Sequence, residues 1–310
     1  MMGVCSKIMN ILINHNDIID LIRTLQSSPC CAEDHDELFI QSTFDRAIKT
    51  RTMAYACLTE SAVVIVVTVS LFCDVPQRVL PYKAWLPFSP TTNFRYWISY
   101  THQILAHVFG ALVNVAFDML IPSLILQICC QFRLFEHRML DMSKQTSSRL
   151  EKKKLVNCVR HHNKIFQLTE VTNNIFHWVI FLQFSISTIV ICVTVYGLSK
   201  TPVSDPEFSA MILYLACMLT QIFVLCYSGT EITLQSDHAS EAVYQIHWTV
   251  INTKTQKNLI MIMMRSVKPI KFTAGWFIDI SINSFNQLVK LSYSAYNVLQ
   301  RSSDATSMRL

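Results

Sequence analysis

The stretch IFHWVIFLQFSISTIVICVTVYGL, residues 175–198, decides the class of the fold. It contains no Asp, Glu, Lys or Arg, and about 20 helical residues suffice to cross roughly 30 Å of hydrocarbon. A run this long and this free of charge reads as a transmembrane helix. Moving outward, Ser209 to Ser228 is equally uncharged, and Met53 to Cys73 and Ile104 to Cys130 are long enough to cross. A more polar fifth candidate, Phe272 to Leu299, is assigned from its position and its periodic pattern as much as from its hydropathy. The whole chain agrees: among 310 residues 51% are hydrophobic and only 15% charged, with a mean hydropathy of +0.33, too apolar for an ordinary soluble domain of this length. The expected fold is an all-α integral membrane bundle of five transmembrane helices.

Lys and Arg accumulate on the cytoplasmic side of membrane proteins. Segments 1–52, 131–174 and 229–271 together hold nineteen of them, whereas 74–103, 199–208 and 300–310 hold six. The N-terminus is therefore expected inside and the C-terminus outside. The layout is a cytoplasmic segment 1–52, transmembrane helices 53–73, 104–130, 175–198, 209–228 and 272–299, extracellular loops 74–103 and 199–208, cytoplasmic segments 131–174 and 229–271, and an extracellular tail 300–310. The first twenty residues lack the basic start and cleavage site of a signal peptide, so the first span must act as its own signal.

In the inner connection, FRLFEHRMLDM and LVNCVRHHNKIFQLTEV keep an apolar face at three- and four-residue spacing opposite a basic one, so helices are expected to continue into the cytoplasm. Lys152, Lys153 and Lys154 are read as facing solvent or anionic headgroups, and His161 and His162 as packed or solvated. The outer loop, with Pro76, Pro81, Pro87, Pro90, Tyr82 and Trp85, fits either a rim over a ligand vestibule or an aromatic belt at the interface. Cys57, Cys129, Cys130, Cys192, Cys217 and Cys226 lie in apolar segments and read as small buried hydrophobes. No spacing of Cys or His indicates a metal, no cofactor motif is present, and the net charge of +5 does not read as nucleic-acid binding. GxSxG, HExxH, GxxxxGK[ST] and GxGxxG are all absent, which leaves an enzyme reading without support.

An ionisable group at mid-bilayer must face protein or water; Glu60, Asp118 and Asp279 qualify. On the second span Gln103, His107, Asn114 and Asp118 fall on one narrow face, either a cavity lining or an inter-helix hydrogen-bond seam, with Pro122 loosening the backbone one turn on. In the last segment Asp279, Asn283, Asn286, Lys290, Tyr293 and Asn297 recur at steps of four and three, opposite Ile280, Phe285, Leu288 and Leu291. A water-lining helix requires such a stripe, and packing against another polar helix would produce it too. On the fourth span Tyr214, Gln221 and Ser228 recur at seven, beside Met211 and Met218. That face suits a small apolar ligand, or ordinary helix packing.

Several stretches taken together resemble the insect odorant receptor family over nearly the whole chain. They are QIFVLCYSG at 221–229, Tyr244 and Trp248 in AVYQIHW, MRSVKP at 264–269, SINSFNQLVKLSYSAYNVL at 281–299, LPYKAWLPF at 80–88, Asp118, and RHHNKIFQLTEV at 160–171. The resemblance implies a subunit of a ligand-gated, non-selective cation channel in the plasma membrane of olfactory neuron dendrites. Such a subunit has seven helices and an inside N-terminus, and it assembles with a co-receptor subunit into a heterotetramer. The last helix would surround the pore and the cytoplasmic extensions would form an anchor. By that resemblance Tyr293, Tyr296 and Leu299 are the expected pore or gate residues. Thr68, Phe72, Trp85, His107, Ala111, Met211 and Tyr214 are the expected contacts of a small volatile ligand. The family has two membrane helices before Met53, so the chain is expected to correspond to the last five helices of an incomplete gene product. A gustatory receptor subunit is the neighbouring alternative; a G-protein-coupled receptor or a transporter is the alternative of another class, without a DRY-like or NPxxY-like motif or an internal repeat to support it.

Overall fold

The computed structural model describes residues 2–82, 85, 92–143, 148–203, 205–246, 248–249 and 251–307. Among the described residues eight helices and one small hairpin follow in order: α1 Met2–Ile13, α2 His15–Leu25, α3 His35–Gln77, α4 Asn93–Ser143, α5 Ser148–Lys200, α6 Pro206–Tyr244, α7 Thr253–Ser266, β1 Thr273–Ala274, β2 Ile278–Asp279 and α8 Ile282–Ser307. Four of them, α3 to α6, are long and apolar enough to cross a membrane. At 51 and 53 residues, α4 and α5 extend about 77 and 80 Å at 1.5 Å per residue, more than twice the roughly 30 Å of hydrocarbon. They therefore continue well beyond their apolar segments, as the periodicity over 133–170 requires.

The tightest packing lies in those extensions. Phe132, Phe135, Met139 and Met142 of α4 are sealed against Leu155, Cys158, Ile165 and Leu168 of α5. Through the apolar segments the bundle is more open, and Val64, Phe72, Leu105, Phe109, Ile189 and Val193 are exposed, as lipid-facing side chains would be. Among the cysteines of these segments Cys129, Cys130, Cys192, Cys217 and Cys226 are buried, but Cys57 is exposed, because it lies on the outward side of α3.

Arg138 ties the extension together. Its Nε and Nη2 donate to the Glu37 carboxylate at 2.7 and 2.8 Å, and its guanidinium also donates to the carbonyls of Pro29 and Cys31. Nη1 lies 3.2 Å from His161 Nδ1, and His161 Nε2 lies 2.9 Å from Gln131 Oε1. An arginine can only donate, so Nδ1 accepts, Nε2 carries the proton and the ring is neutral. Burial, with the Arg138 charge behind it, pulls His161 down to about 3. His162, stacked on Phe135 and Phe166, is drawn to about 4 by burial and the Arg265 charge. Burial alone would raise Glu37, yet the bonds from Arg138 and the Glu33 N–H hold it below the ordinary carboxylate value. Both histidines are thus packed; Lys152 and Lys153 are exposed, and Lys154 pairs with Asp141.

Segment 1–52 is docked on the bundle through α1: Lys7 reaches Asn114 and Asp118 of α4, and Asn10 Nδ2 donates to the Ile175 carbonyl at 2.9 Å. Two expectations need correction. A continuous helix from Phe272 does not hold, because the antiparallel pair β1 and β2, with registers Thr273 to Asp279 and Ala274 to Ile278, occupies that stretch and α8 begins at Ile282. Asp279 consequently leaves the helical stripe and lies on the half-exposed hairpin, paired with Lys271 at 2.9 Å. Gly275 at φ +58° and Trp276 at φ +68° turn the hairpin, a conformation that a helix cannot accommodate.

Candidate functional site

The most completely built polar site surrounds Asp118, whose side chain is wholly buried in α4. Lys7 Nζ donates to Asp118 Oδ1 at 2.5 Å and to Asn114 Oδ1 at 2.7 Å. Gln183 Nε2 of α5 donates to the same Asp118 oxygen at 3.3 Å. The other oxygen receives Asn114 Nδ2 at 2.7 Å and the Tyr55 hydroxyl of α3 at 3.3 Å, and Gln221 of α6 also bonds the carboxylate. Five helices therefore converge on one carboxylate. An ionised carboxylate offers about four lone-pair positions, and these donors fill them, so Asp118 has no capacity left for a transported ion. Of the two readings of this face, the seam holds for Asn114 and Asp118. Pro122, lacking an N–H, also leaves the Asp118 carbonyl without its intrahelical donor.

Reasoning from sequence missed Lys7, Tyr55 and Gln183. In the fold, α1 has inverted polarity: Ile8, Met9, Leu12 and Ile13 are exposed while Lys7 is buried. In water that arrangement would be unstable, whereas in lipid it is expected.

Toward the N-terminal end of α4, Gln103 pins the chain at Tyr82 by accepting from its N–H and donating to its carbonyl, both at 3.1 Å. The Tyr82 hydroxyl meets His107 Nδ1 at 3.0 Å with the rings 5.6 Å apart. Gln103 and His107 thus belong to a rim cluster and not to the Asp118 node. Pro87 and Pro90 lie outside the described residues.

The seven expected ligand residues differ widely in exposure. Phe72 is 77% and Trp85 is 88% exposed. Thr68 turns its hydroxyl onto the Val64 carbonyl, Tyr214 is 46% exposed, and Ala111 is half-buried on α4. Met211 lies beside Gly197 of α5. His102, Leu105, Ala106, Val108, Phe109 and Leu112 line an open depression of about 440 Å³, all from α4.

The expected pore residues share a clearer geometry. Leu288 and Ser292 of α8 are buried against the bundle and Phe285 is half-buried, contacting Phe223 of α6 with ring centroids 5.6 Å apart. Asn283, Asn286, Lys290 and Tyr293 are exposed and Asn297 is half-buried. At about 100° per residue this polar stripe lies nearly opposite the packed one, so it points away from the chain's own bundle. Tyr296 is half-buried, with its ring 6.3 Å from that of Tyr293, and the side chain of Leu299 lies outside the described residues.

Comparison with known proteins agrees with this architecture. The solved structure of the insect olfactory receptor OR5 from Machilis hrabei in complex with eugenol superposes with a TM-score of 0.86 at 18% identity, covering 97% of this chain and 78% of that one. A second solved structure of the insect olfactory receptor OR5 from Machilis hrabei gives a TM-score of 0.86 at 18% identity over 96% of this chain and 78% of that one. Odorant receptor 46a, isoform A, of Drosophila melanogaster is 25% identical over 304 residues, 96% of this chain and 79% of its own length. Odorant receptor 33a of the same fly is 24% identical over 270 residues, 86% of this chain and 71% of its own length. The family model described as 7tm Odorant receptor matches residues 1–293, and the chain belongs to that family of membrane receptors.

Proposed function

We propose that the chain is the odorant-sensing subunit of a ligand-gated, non-selective cation channel, assembled with a co-receptor subunit as a heterotetramer in the plasma membrane of olfactory neurons. The observation that carries this reading is the orientation of α8. A helix that buries Leu288 and Ser292 while turning Asn283, Asn286, Lys290 and Tyr293 away from its own bundle is unsuited to lipid on that side. It is suited to a water-filled axis shared with other subunits. Its 26 residues span about 39 Å at 1.5 Å per residue, enough for a fifth crossing that carries the C-terminus outside. The distribution of Lys and Arg supports that orientation. In this reading α1 lies within the inner half of the bilayer, and the extensions around Arg138 form the cytoplasmic anchor.

The ligand is a small volatile molecule held between the outer halves of α3, α4 and α6, with Thr68, Phe72, Trp85, His107, Ala111, Met211 and Tyr214 as its contacts. Its binding energy favours the open arrangement of Tyr293, Tyr296 and Leu299 over the closed one. The test is whole-cell recording from cells co-expressing the chain and the co-receptor, challenged with a panel of volatiles that includes eugenol. An inward cation current absent from cells with the co-receptor alone is expected. Silence to the whole panel, with the chain present at the cell surface, would overturn the reading.

A further inference from the structure

The segment from Ile270 to Ser281 connects α7 to α8 without helical structure, yet Ile270, Phe272, Ala274 and Ile280 within it are buried. Buried backbone groups outside a helix need partners, and two neighbouring helices supply them. From α6, Ser236 Oγ accepts the Ile270 N–H at 3.1 Å and Thr233 Oγ1 donates to the Ile270 carbonyl at 2.9 Å. From α5, Asn173 Oδ1 accepts the Thr273 N–H at 2.9 Å, and Asn173 Nδ2 donates to Thr273 Oγ1 at 3.2 Å. The His177 carbonyl accepts the Gly275 N–H at 3.0 Å.

The last attachment reaches α8 itself. The first N–H groups of a helix have no partner within it, and here Thr230 Oγ1 of α6 accepts the Ile282 N–H at 3.0 Å. Thr230 donates its own proton to the Cys226 carbonyl at 3.1 Å, which leaves its lone pairs free for that role. One residue earlier, Gly229 lets the strap approach so closely that any Cβ would strike the Ile280 carbonyl oxygen. The strap is therefore clamped from both sides and cannot act as a slack tether.

We propose that Asn173 and Thr230 are positioning residues that couple displacement of α5 and α6 to the first turn of α8, making the 270–281 strap the gating linker. The assignment of gating rests on the channel reading above. The coupling is tested by amide exchange on the full chain purified with its co-receptor, read at Ile282–Phe285 in wild type, Asn173→Ala, Thr230→Val and the control Ser185→Ala, whose hydroxyl bonds only its own helix. Asn173 hydrogen-bonds Thr273 of the strap, and Asn173→Ala is expected to speed exchange at Ile282–Phe285 by about three- to tenfold, the equivalent of one or two hydrogen bonds. Thr230→Val should do the same, and Ser185→Ala should not. Asn173→Asp keeps the acceptor for the Thr273 N–H and should give a smaller change, which separates coupling from a general folding defect. Exchange altered only within 273–279 would overturn the proposal. Ligand-free current at equal surface amount is expected to change with the same variants. Current unchanged while wild type conducts overturns the gating role, whereas absence of current from wild type strikes the channel reading and leaves the exchange result to judge the coupling.

Discussion

Neutralising Lys7 tests the placement of α1 more sharply than any other single change. In Lys7→Met the Asp118 carboxylate keeps Asn114, Tyr55, Gln183 and Gln221 as donors but loses its counter-charge at a wholly buried position. Removing one partner of a buried pair costs about 3 to 5 kcal/mol, because the remaining charge is stranded. Asp118→Asn strands Lys7, whose side chain is 6% exposed, at a similar cost. The double variant holds no charge, and its loss should fall to about 1 to 2 kcal/mol, since a buried ion pair is often worth little more than a neutral replacement. The assay is thermal unfolding of the four proteins in one detergent. At about 2 °C per kcal/mol for a chain of this size, the single variants should fall by roughly 6 to 10 °C and the double by about 2 to 4 °C. Additive losses in the double variant would show that the two charges do not meet, and the docking of α1 on α4 would be refuted.

Other consequences follow from the anchor and the strap. Gly229→Ala drives a methyl against Ile280, whose Cγ2 would lie 2.8 Å away; overpacking of this kind costs about 1 to 3 kcal/mol, read as a fall in unfolding temperature together with faster proteolysis in 270–281. Arg138→Met strands Glu37 and three acceptors and should reduce stability by about 3 to 5 kcal/mol, with Arg138→Met/Glu37→Gln recovering part of it in the same unfolding assay. His161 and His162 have folded values of about 3 and about 4, below the ordinary histidine value of about 6.5, so the unfolded chain binds more protons between those limits. Stability is therefore complete above about pH 6.5 and is lost as pH falls toward 4 and then 3, by about 2 kcal/mol per histidine at pH 5. An unfolding temperature that declines between pH 7 and pH 5, and declines less in His161→Gln/His162→Gln, checks the sign.

The charge-free runs of α5 and α6 made those spans readable, because lipid demands uninterrupted apolar helix and few soluble elements imitate it. The extensions of α4 and α5 were readable for a related reason, since a half-buried helix keeps its period wherever it lies. The start of α8 was not readable in the same way. Asp279 stands four residues before Asn283 and so imitates the stripe, while the contrary signals, Pro269 and the Gly275 turn, are local and easily outweighed by a period. Lys7 was hidden for another reason. Its partner lies 111 residues away, and a twelve-residue apolar helix is too short to announce its depth. Whether the expected ligand residues share a cavity depends on the mutual rotation of α3, α4 and α6, which no period within one helix encodes.

The central claim, that α8 turns its polar stripe toward water on a shared axis, is tested most directly by thiol accessibility along that helix. Cysteines placed singly at Asn286, Lys290, Leu288 and Ser292 in the chain co-expressed with its co-receptor would be treated in intact membranes with a charged thiol reagent, and labelling scored above the background of the native exposed cysteines, Cys5, Cys31, Cys57 and Cys73. The account predicts labelling at Asn286→Cys and Lys290→Cys and none at Leu288→Cys or Ser292→Cys. Protection of the first pair, or labelling of the second in its place, would contradict it.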